Sequence, residues 1–226
     1  MGKLARKLAH EIKNPLTPIQ LTIDRIKNKF TQELLSSDQD EFKNNLKIIN
    51  NQIKQIEKLV NEFSDFARMP KPVLRKNNLV VLLNDNINLL KELDKSIEII
   101  FIKNSENIIL NCDPEQLSRV FFNLIKNSIE SIHQKKEKVA DFNKKISIEL
   151  NDFDDHISLI LIDNGIGFKA SLDNVKDILK PYVTTKKNGT GLGLSIVNKI
   201  VNDHNGEIEF IPIKNGAEIK ILFSKK

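Results

Sequence analysis

Two apolar stripes near the start of the chain constrain its fold more than any other feature. The residues of the first stripe recur every three or four positions, as one face of a helix requires, and are Leu4, Leu8, Ile12, Leu16, Ile19, Ile23, Ile26 and Phe30. After a polar stretch at 31–40, a second stripe keeps a heptad spacing through Phe42, Leu46, Ile49, Ile53, Ile56, Val60 and Phe63. Two such helices joined by a short loop predict an antiparallel hairpin. Because a lone hairpin leaves apolar surface uncovered, we expect two copies to pair into a dimeric four-helix bundle.

The pattern changes at a pair of prolines. Pro70 and Pro72 cannot continue a helix, so residues 69–76 are predicted to link the hairpin, residues 1–68, to a second domain, residues 77–226. In that domain, β-branched or alternating runs predict strands at 97–102, 108–112, 146–150, 157–161, 207–211 and 217–223. Helices are predicted within 79–93 after a short strand or turn, from 113 to 132 before an exposed loop at 134–144, and at 192–204. We therefore predict an α+β protein, an N-terminal antiparallel helical hairpin followed by an α/β sandwich.

The composition excludes several classes of protein. With 40% apolar and 29% charged residues over 226 positions, the chain is ordinary globular material. The single cysteine, Cys112, excludes a disulfide framework and a cysteine-built zinc site and fits a reducing compartment. The net charge of +5 comes from basic residues scattered among acidic ones, so no nucleic-acid partner is expected. Because no run of about 18 apolar residues and no signal peptide occurs, we expect a cytoplasmic chain that makes no membrane contact itself.

The first candidate site lies on the first predicted helix. His10 stands beside Glu11, and Asn14 follows one turn later, so both side chains can approach the imidazole. A carboxylate that accepts the proton of one ring nitrogen makes the other nitrogen a better nucleophile. Pro15 and Pro18 remove helical hydrogen bonds and predict a bend just past the histidine. Taken alone, the pair is more typical of a solvated helix surface, and a zinc-protease site is excluded because position 14 is not histidine.

Two further motifs lie in the second domain. Asn123 and Asn127 are one turn apart on a predicted helix, and amide oxygens suit Mg²⁺. Asp163 directly follows a predicted strand and offers a buried carboxylate to the amino group of a base. Gly165 and Gly167 allow positive φ and close approach of a ligand. Each motif alone is also typical of a solvated helix face or a plain turn.

A glycine-rich loop at 184–194 forms the fourth motif. It runs into the start of a predicted helix, where backbone N–H groups and the helix dipole form an anion site. A Walker loop and a Rossmann fingerprint are both excluded, because the Gly-Lys-Ser/Thr ending and a β-α-β unit are missing. Taken together, a phosphate-accepting histidine, a magnesium helix, an adenine-type turn and a phosphate-cradling loop predict ATP-dependent phosphoryl transfer.

In this order, the four motifs resemble those of the catalytic core of two-component sensor histidine kinases, and the resemblance covers essentially the whole chain. Residues 10–18 resemble the H box, 123–127 the N box, 163–167 the first glycine box and 189–194 the second. The run Pro-Leu-Thr-Pro-Ile-Gln at 15–20 is similar to the NtrY-like nitrogen-regulation branch. The resemblance implies a dimerisation and histidine-phosphotransfer hairpin followed by an ATP-binding domain of the Bergerat (GHKL) type.

The resemblance implies a role for each matching residue. His10 would be the phosphorylated nucleophile, Glu11 its activating base, and Asn14 the residue that orients the phosphoryl group or a water. Asn127 would hold Mg²⁺ with support from Asn123. The remaining residues of the ATP site would be Asp163, which binds the adenine amino group, and Gly165, Gly167, Lys186, Gly189, Thr190, Gly191, Leu192 and Gly193.

Two features depart from the family pattern. Many members carry a basic residue three positions after the magnesium asparagine, where this chain has Glu130, so the positive charge is expected from Lys186, Lys187 or Lys126. The histidine stands ten residues from the start, whereas family members continue upstream into a sensor. We therefore expect a kinase core without its sensor.

The implied activity is autophosphorylation of His10 by ATP and Mg²⁺, followed by transfer to an aspartate of a response-regulator receiver domain. Two alternatives remain open. One is a catalytically silent dimerisation or regulator-docking module. The other is a GHKL ATPase of the gyrase, mismatch-repair or chaperone type, which would share the ATP site but has no need of the hairpin. The remaining histidines, His133, His156 and His204, are expected at the surface or as caps.

Overall fold

The chain folds into two compact units. The computed structural model describes residues 2–31, 33–34, 36–137, 139, 142–168, 175–180, 183–184 and 189–225. The first unit comprises residues 1–70 and 184–192, and the second comprises 71–183 and 193–226. Among the described residues, no helix combines the length and the apolarity that crossing a bilayer requires.

The first unit is built on two long helices, α1 (Gly2–Phe30) and α2 (Ser36–Ala67). They pack against each other through a small core formed by Leu16, Ile23, Leu46 and Ile53, with Ile26 and Phe42 partly buried beside it. The predicted helical N-terminal region is thus confirmed. Helix α2 begins earlier than the polar stretch predicted, because polar residues on a solvent-facing turn do not oppose a helix and Asp38 in the first turn favours its N-terminus.

Only part of each apolar stripe is covered within the hairpin. Positions alternate along both helices between buried residues, such as Leu16 and Leu46, and residues that stay exposed. The exposed members of the two stripes are Ile12, Ile19, Phe30, Ile49 and Ile56. An apolar face therefore remains on the outside of this hairpin.

The second unit contains seven strands and three helices among its described residues. Its elements are β1 (Arg75–Asn78), α3 (Leu79–Leu93), β2 (Glu98–Lys103), β3 (Ile109–Cys112), α4 (Pro114–Lys136), β4 (Lys145–Asp152), β5 (His156–Asp163), a short 3₁₀ turn (Val175–Leu179), α5 (Gly193–Asp203), β6 (Gly206–Ile213) and β7 (Gly216–Ser224). Strands β1 and β3 form a two-stranded sheet, and the other five form a sheet in the order β2-β4-β5-β7-β6. The predicted α/β domain is therefore confirmed.

Strand β5 is the centre of the larger sheet. It pairs antiparallel with β4 on one side and with β7 on the other, and only the β2–β4 pair is parallel among the described strands. The register sets Asp163, the last residue of β5, opposite Ile146 and Ala217. Because both neighbouring strands are in register here, the backbone of Asp163 is held from two sides.

Helix α4 lies between α3 and α5 and also contacts β4 and β5. It begins where the sequence predicts, because the Asp113 carboxylate accepts hydrogen bonds from the backbone N–H groups of Glu115 and Gln116, both at 3.1 Å. Its buried residues are Gln116, Leu117, Val120, Phe121, Leu124, Ile125, Ser128, Ile129 and Ile132. The helix continues to Lys136, so the exposed loop predicted from 134 is wrong at its start; the basic residues of the last turn favour the helix C-terminus.

One histidine, expected at the surface or as a cap, is a cap that is buried. His204, just after α5, is only 4% exposed. Its Nε2 accepts the backbone N–H of Asp113 at 3.0 Å, and its Nδ1 lies 2.8 Å from the carbonyl of Ile200. The ring therefore links the end of α5 to the start of α4, with Nε2 as acceptor and Nδ1 as donor.

Candidate functional site

The best-defined functional group of the second unit is the carboxylate of Asp163, which is 3% exposed. Its Oδ1 accepts the backbone N–H of Gly165 at 2.9 Å and the hydroxyl of Ser131 at 3.4 Å. Its Oδ2 accepts the hydroxyl of Ser128 at 3.0 Å. Helix α4 supplies both serines, so its packing against the end of β5 fixes the carboxylate.

The environment of Asp163 acts on its protonation in two directions. Burial raises the pKa of this carboxyl above its ordinary value, because an ionised group loses hydration. The hydrogen bonds from Gly165, Ser128 and Ser131 and the positive charge of Lys135 partly oppose that rise. The balance leaves a desolvated carboxyl that a donor from a ligand would stabilise in its ionised form.

Close packing explains why glycine stands two residues after Asp163. A Cβ on Gly165 would lie 2.2 Å from Ser131 Oγ, 2.6 Å from Ser131 C and 2.8 Å from Ile132 N. Gly167 has φ of +71°, and a Cβ there would meet the carbonyl oxygen of Gly216 at 2.4 Å. The glycines thus let this turn lie directly against α4 and the start of β7, and only Gly167 has the positive φ expected of both.

Gly165→Ala is expected to destabilise the second unit by about 3 kcal/mol, at the upper end of the usual cost of overpacking, because the added methyl meets backbone atoms that cannot move aside. Gly193→Ala is the matched control for stability. Of the residues that the structure describes, a Cβ there would meet only Asn123 Oδ1, at 3.9 Å, so we expect stability unchanged or raised by up to about 1 kcal/mol. Differential scanning calorimetry of both variants checks the contrast, and equal melting temperatures would contradict it.

The two asparagines of α4 stand on one face of that helix. Asn123 and Asn127 are half-buried and one turn apart. The 3.9 Å between Asn123 Oδ1 and the Cβ position of Gly193 sets the start of α5 beside them. The second unit therefore brings the magnesium motif next to the helix that follows the glycine-rich loop.

The donor set on this face fits a hard cation that also binds phosphate. Among the described residues, no group of His, Cys, Asp and Glu side chains could hold a metal ion by itself. Amide oxygens that stay accessible to solvent can instead supply one or two of the six oxygen ligands that Mg²⁺ takes, with phosphates and waters as the rest. Asn123 and Asn127 place two amide side chains, each half-buried, on this face of α4.

The glycine-rich loop is described only in part. Lys186, predicted as a cofactor-binding residue, and Lys187 lie outside the described residues. Gly191 has φ of +69°, and the hydroxyl of Thr190 lies 3.4 Å from the backbone N–H of Leu192, whose side chain is fully buried. The described end of the loop is thus a tight turn anchored by Leu192.

The histidine motif lies on α1 in the first unit. His10, Glu11 and Asn14 are all on this helix, with Glu11 and Asn14 exposed, and the side chain of His10 lies outside the described part of the structure. The helix runs through both Pro15 and Pro18. The motif residues thus share one helix next to the buried position Leu16.

Sequence reasoning missed three side chains of the Asp163 environment. Ser128 and Ser131 bind the carboxylate, and Lys135 Nζ donates to the carbonyl of Asn164 at 2.6 Å. A signal for Ser128 was present, since a hydroxyl at a position that continues an apolar helix face needs a buried partner. Neither Ser131 nor Lys135 carries such a signal, because both are only partly buried.

Comparisons with known proteins agree with this organisation. Residues 112–226 match the family described as histidine kinase-, DNA gyrase B-, and HSP90-like ATPase, and residues 1–72 match the His Kinase A phospho-acceptor domain. The chain belongs to the histidine kinases. The family prediction drawn from the four motifs is therefore confirmed.

Curated relatives of this chain include proteins of the nitrogen-regulation type. The chain is 38% identical over 224 residues to the NtrY-like sensor histidine kinase of Rickettsia felis, which covers 99% of this chain and 36% of that protein. It is 36% identical over 221 residues to the nitrogen regulation protein NtrY of Azorhizobium caulinodans, covering 96% and 28%. The chain thus spans about a third of the length of these curated relatives. A solved structure of histidine kinase ThkA in complex with response regulator protein TrrA matches 100% of this chain and 62% of that chain, with a TM-score of 0.68 and 26% identity.

Proposed function

We propose that this chain transfers the γ-phosphoryl group of ATP to His10 and then passes it to an aspartate of a response-regulator receiver domain. The observation that carries the proposal is the pairing, in one chain, of a phospho-acceptor helix with a domain that holds a desolvated carboxylate beside a magnesium-type asparagine face. Residues 1–68 would form the phosphotransfer hairpin, 69–76 the linker and 77–226 the ATP-binding domain.

In the proposed reaction, His10 is the nucleophile. Glu11, its exposed neighbour on α1, would accept the proton of one ring nitrogen, so that the other attacks the γ-phosphorus as ADP leaves. Asn14, one turn further on, would orient the phosphoryl group or, in dephosphorylation of the partner protein, a water. Apart from the bond to His10, the protein takes little part in covalent chemistry. Most of the acceleration of phosphoryl transfer comes from positioning and charge neutralisation.

The nucleotide would be held by the second unit and the glycine-rich loop. The carboxylate of Asp163 would accept a hydrogen bond from the exocyclic amino group of adenine. Gly165 and Gly167 would form the wall of that pocket. Gly189, Thr190, Gly191, Leu192, Gly193 and Lys186 would surround the phosphates. Asn127, supported by Asn123, would hold Mg²⁺, which neutralises phosphate charge when bound.

Incubation of the chain with γ-labelled ATP and Mg²⁺ tests this proposal. We expect a labelled protein whose phosphoryl bond is labile in acid and stable in base, as a phosphoramidate is, and loss of the label on addition of a cognate receiver domain. Nucleotide binding without any label would instead favour a silent docking module. Release of phosphate to water without a labelled protein would favour an ATPase of the gyrase or chaperone type.

We also propose that the hairpin pairs with a second copy of itself. The exposed isoleucines of the two stripes, such as Ile19 and Ile56, continue the same helix faces that are buried inside the hairpin. A partner hairpin would cover them and complete a four-helix bundle. Burial of apolar surface is the driving force, so a charge on this face opposes association.

Ile19→Asp is expected to convert a dimer into a monomer. Ile19 is 44% exposed and lies on the stripe, whereas Leu21, 56% exposed, lies about 160° further around the same helix and provides the matched control. Light scattering coupled to size exclusion measures the mass against the 25.9 kDa of one chain. A monomeric wild type, or equal effects of Ile19→Asp and Leu21→Asp, contradicts the proposed interface.

A further inference from the structure

We propose that Ser128 and Ser131 are positioning residues that leave the Asp163 carboxylate a single open acceptor site and thereby set the selectivity for a base with an exocyclic amino group. This inference rests on the adenine-binding role proposed above for Asp163. Neither serine needs to touch the nucleotide, since both act through the carboxylate that they bind.

The number of hydrogen bonds leads to this inference. A carboxylate has about four lone-pair sites, two on each oxygen. The backbone N–H of Gly165 and the hydroxyl of Ser131 occupy both sites of Oδ1, and the hydroxyl of Ser128 occupies one site of Oδ2. Among the described residues, one acceptor site therefore remains without a donor, on Oδ2, in a carboxylate that is 3% exposed.

The hydroxyl of Ser131 is itself held in place. The backbone N–H of Ile166 donates to Ser131 Oγ at 3.1 Å, so the hydroxyl proton is left to point at Asp163. Ile166 and Asp163 thus hold this hydroxyl from two sides, one as donor and one as acceptor. Ser128 is 1% exposed on the buried face of α4, so its hydroxyl has no access to water as an alternative partner.

A fixed acceptor discriminates between bases at position 6. The amino group of adenine donates to the open site, whereas the oxo group of a 6-oxopurine would set lone pairs against lone pairs in a desolvated pocket. Without the serines, the carboxylate can turn and a water can enter beside it, which relieves the unfavourable contact with the oxo group. The serines are therefore expected to affect the difference in affinity between the two bases more than they affect the binding of the phosphates.

The same hydrogen bonds affect the pH at which nucleotide binding weakens on acidification, which is the acid limb of its pH profile. The bonds from Ser128 and Ser131 lower the pKa of Asp163 against the rise caused by burial, so their removal raises it. Glu130 on α4, Lys145 on β4 and Glu218 on β7 are next in sequence to residues that bond or pair with Asp163, and Lys135 on α4 is the charged group that acts on this carboxylate. These four remain in the serine variants.

Equilibrium titration of ATP and inosine triphosphate into the full chain and its variants tests the proposal. We expect Ser128→Ala to reduce the ratio of ATP to inosine triphosphate affinity about tenfold, the size of one hydrogen bond to a charged group. Ser131→Ala is expected to have a smaller effect, since its bond is longer. In both, the acid limb of ATP binding is expected to move to higher pH, a shift that a merely structural role would not produce.

Two further variants keep the result interpretable. Ser128→Cys preserves the volume with a weak donor, so it should reproduce the loss of selectivity even if Ser128→Ala does not fold. Ser118→Ala, on the same helix and away from Asp163, should leave the ratio and the acid limb unchanged. An unchanged ratio and acid limb in Ser128→Cys and Ser131→Ala overturns the inference while leaving the proposed function intact. If Asp163→Asn also binds ATP as the wild type does, the adenine-binding role of Asp163 fails instead.

Discussion

His10→Gln is expected to reduce labelling by γ-labelled ATP to background. Glutamine keeps a polar, planar side chain of similar length at this position of α1, but it has no ring nitrogen that can form a bond to phosphorus. The helix tolerates glutamine well, so the hairpin is expected to form as before. The measurement is the acid-labile, base-stable label on the protein after incubation with Mg²⁺ and ATP.

The choice of controls makes this result specific to His10. His156→Gln, at the first residue of β5, removes an unrelated histidine whose ring bonds to the adjacent Asp155, and it is expected to retain full labelling. Glu11→Gln should lower the rate by roughly 100-fold or more, which is the usual contribution of a positioned base. Acid-labile label that persists in His10→Gln would show that another histidine accepts the phosphoryl group. Equal nucleotide affinity in all three variants excludes a defect in ATP binding.

The hairpin was predictable because its signal is contained in short repeats. The spacing of Leu16, Ile23, Leu46 and Ile53 identifies one helix face without any knowledge of what covers it. Helix ends were less predictable, since charged and polar residues are solvated equally well in a last turn or in a loop. Lys136 at the end of α4 and Ser36 at the start of α2 are both of this kind.

The candidate site was also predictable in its local features and not in its long-range contacts. Asp163 and Gly165 were identified from a local pattern, but the reason for glycine at 165 is the proximity of Ser131, which is 34 positions away in the chain. Contacts of that range depend on how α4 packs against β5, and no repeat in the sequence encodes them. The link from His204 to the N–H of Asp113 was missed for the same reason, because its partner is 91 positions away.

Asp163→Asn is expected to weaken ATP binding by roughly 100-fold or more, because a site built around one hydrogen-bonding pair rejects the mismatched partner. The backbone N–H of Gly165 cannot turn away, so the amide oxygen must take the place of Oδ1 and the amide nitrogen the place of Oδ2. The hydroxyl of Ser128 can rotate to accept from that nitrogen. The position left for the base then presents a donor, which opposes the amino group of adenine and suits the oxo group of inosine triphosphate.

The stability of the apo chain separates this effect from unfolding. Because burial raises the pKa of Asp163 in the folded chain, the unfolded chain ionises this carboxyl at a lower pH than the folded chain does. The wild type therefore loses stability relative to Asp163→Asn as the pH rises from the ordinary carboxyl pKa of 3.8 to the raised value, and below that window the carboxyl contributes no pH-dependent difference. Asp154→Asn, on the exposed turn between β4 and β5, should change neither binding nor this pH dependence. The measurements are calorimetric melting across the acid range and titrations of both triphosphates. If Asp163→Asn melts like the wild type at every pH and still prefers ATP, this carboxylate does not recognise the base.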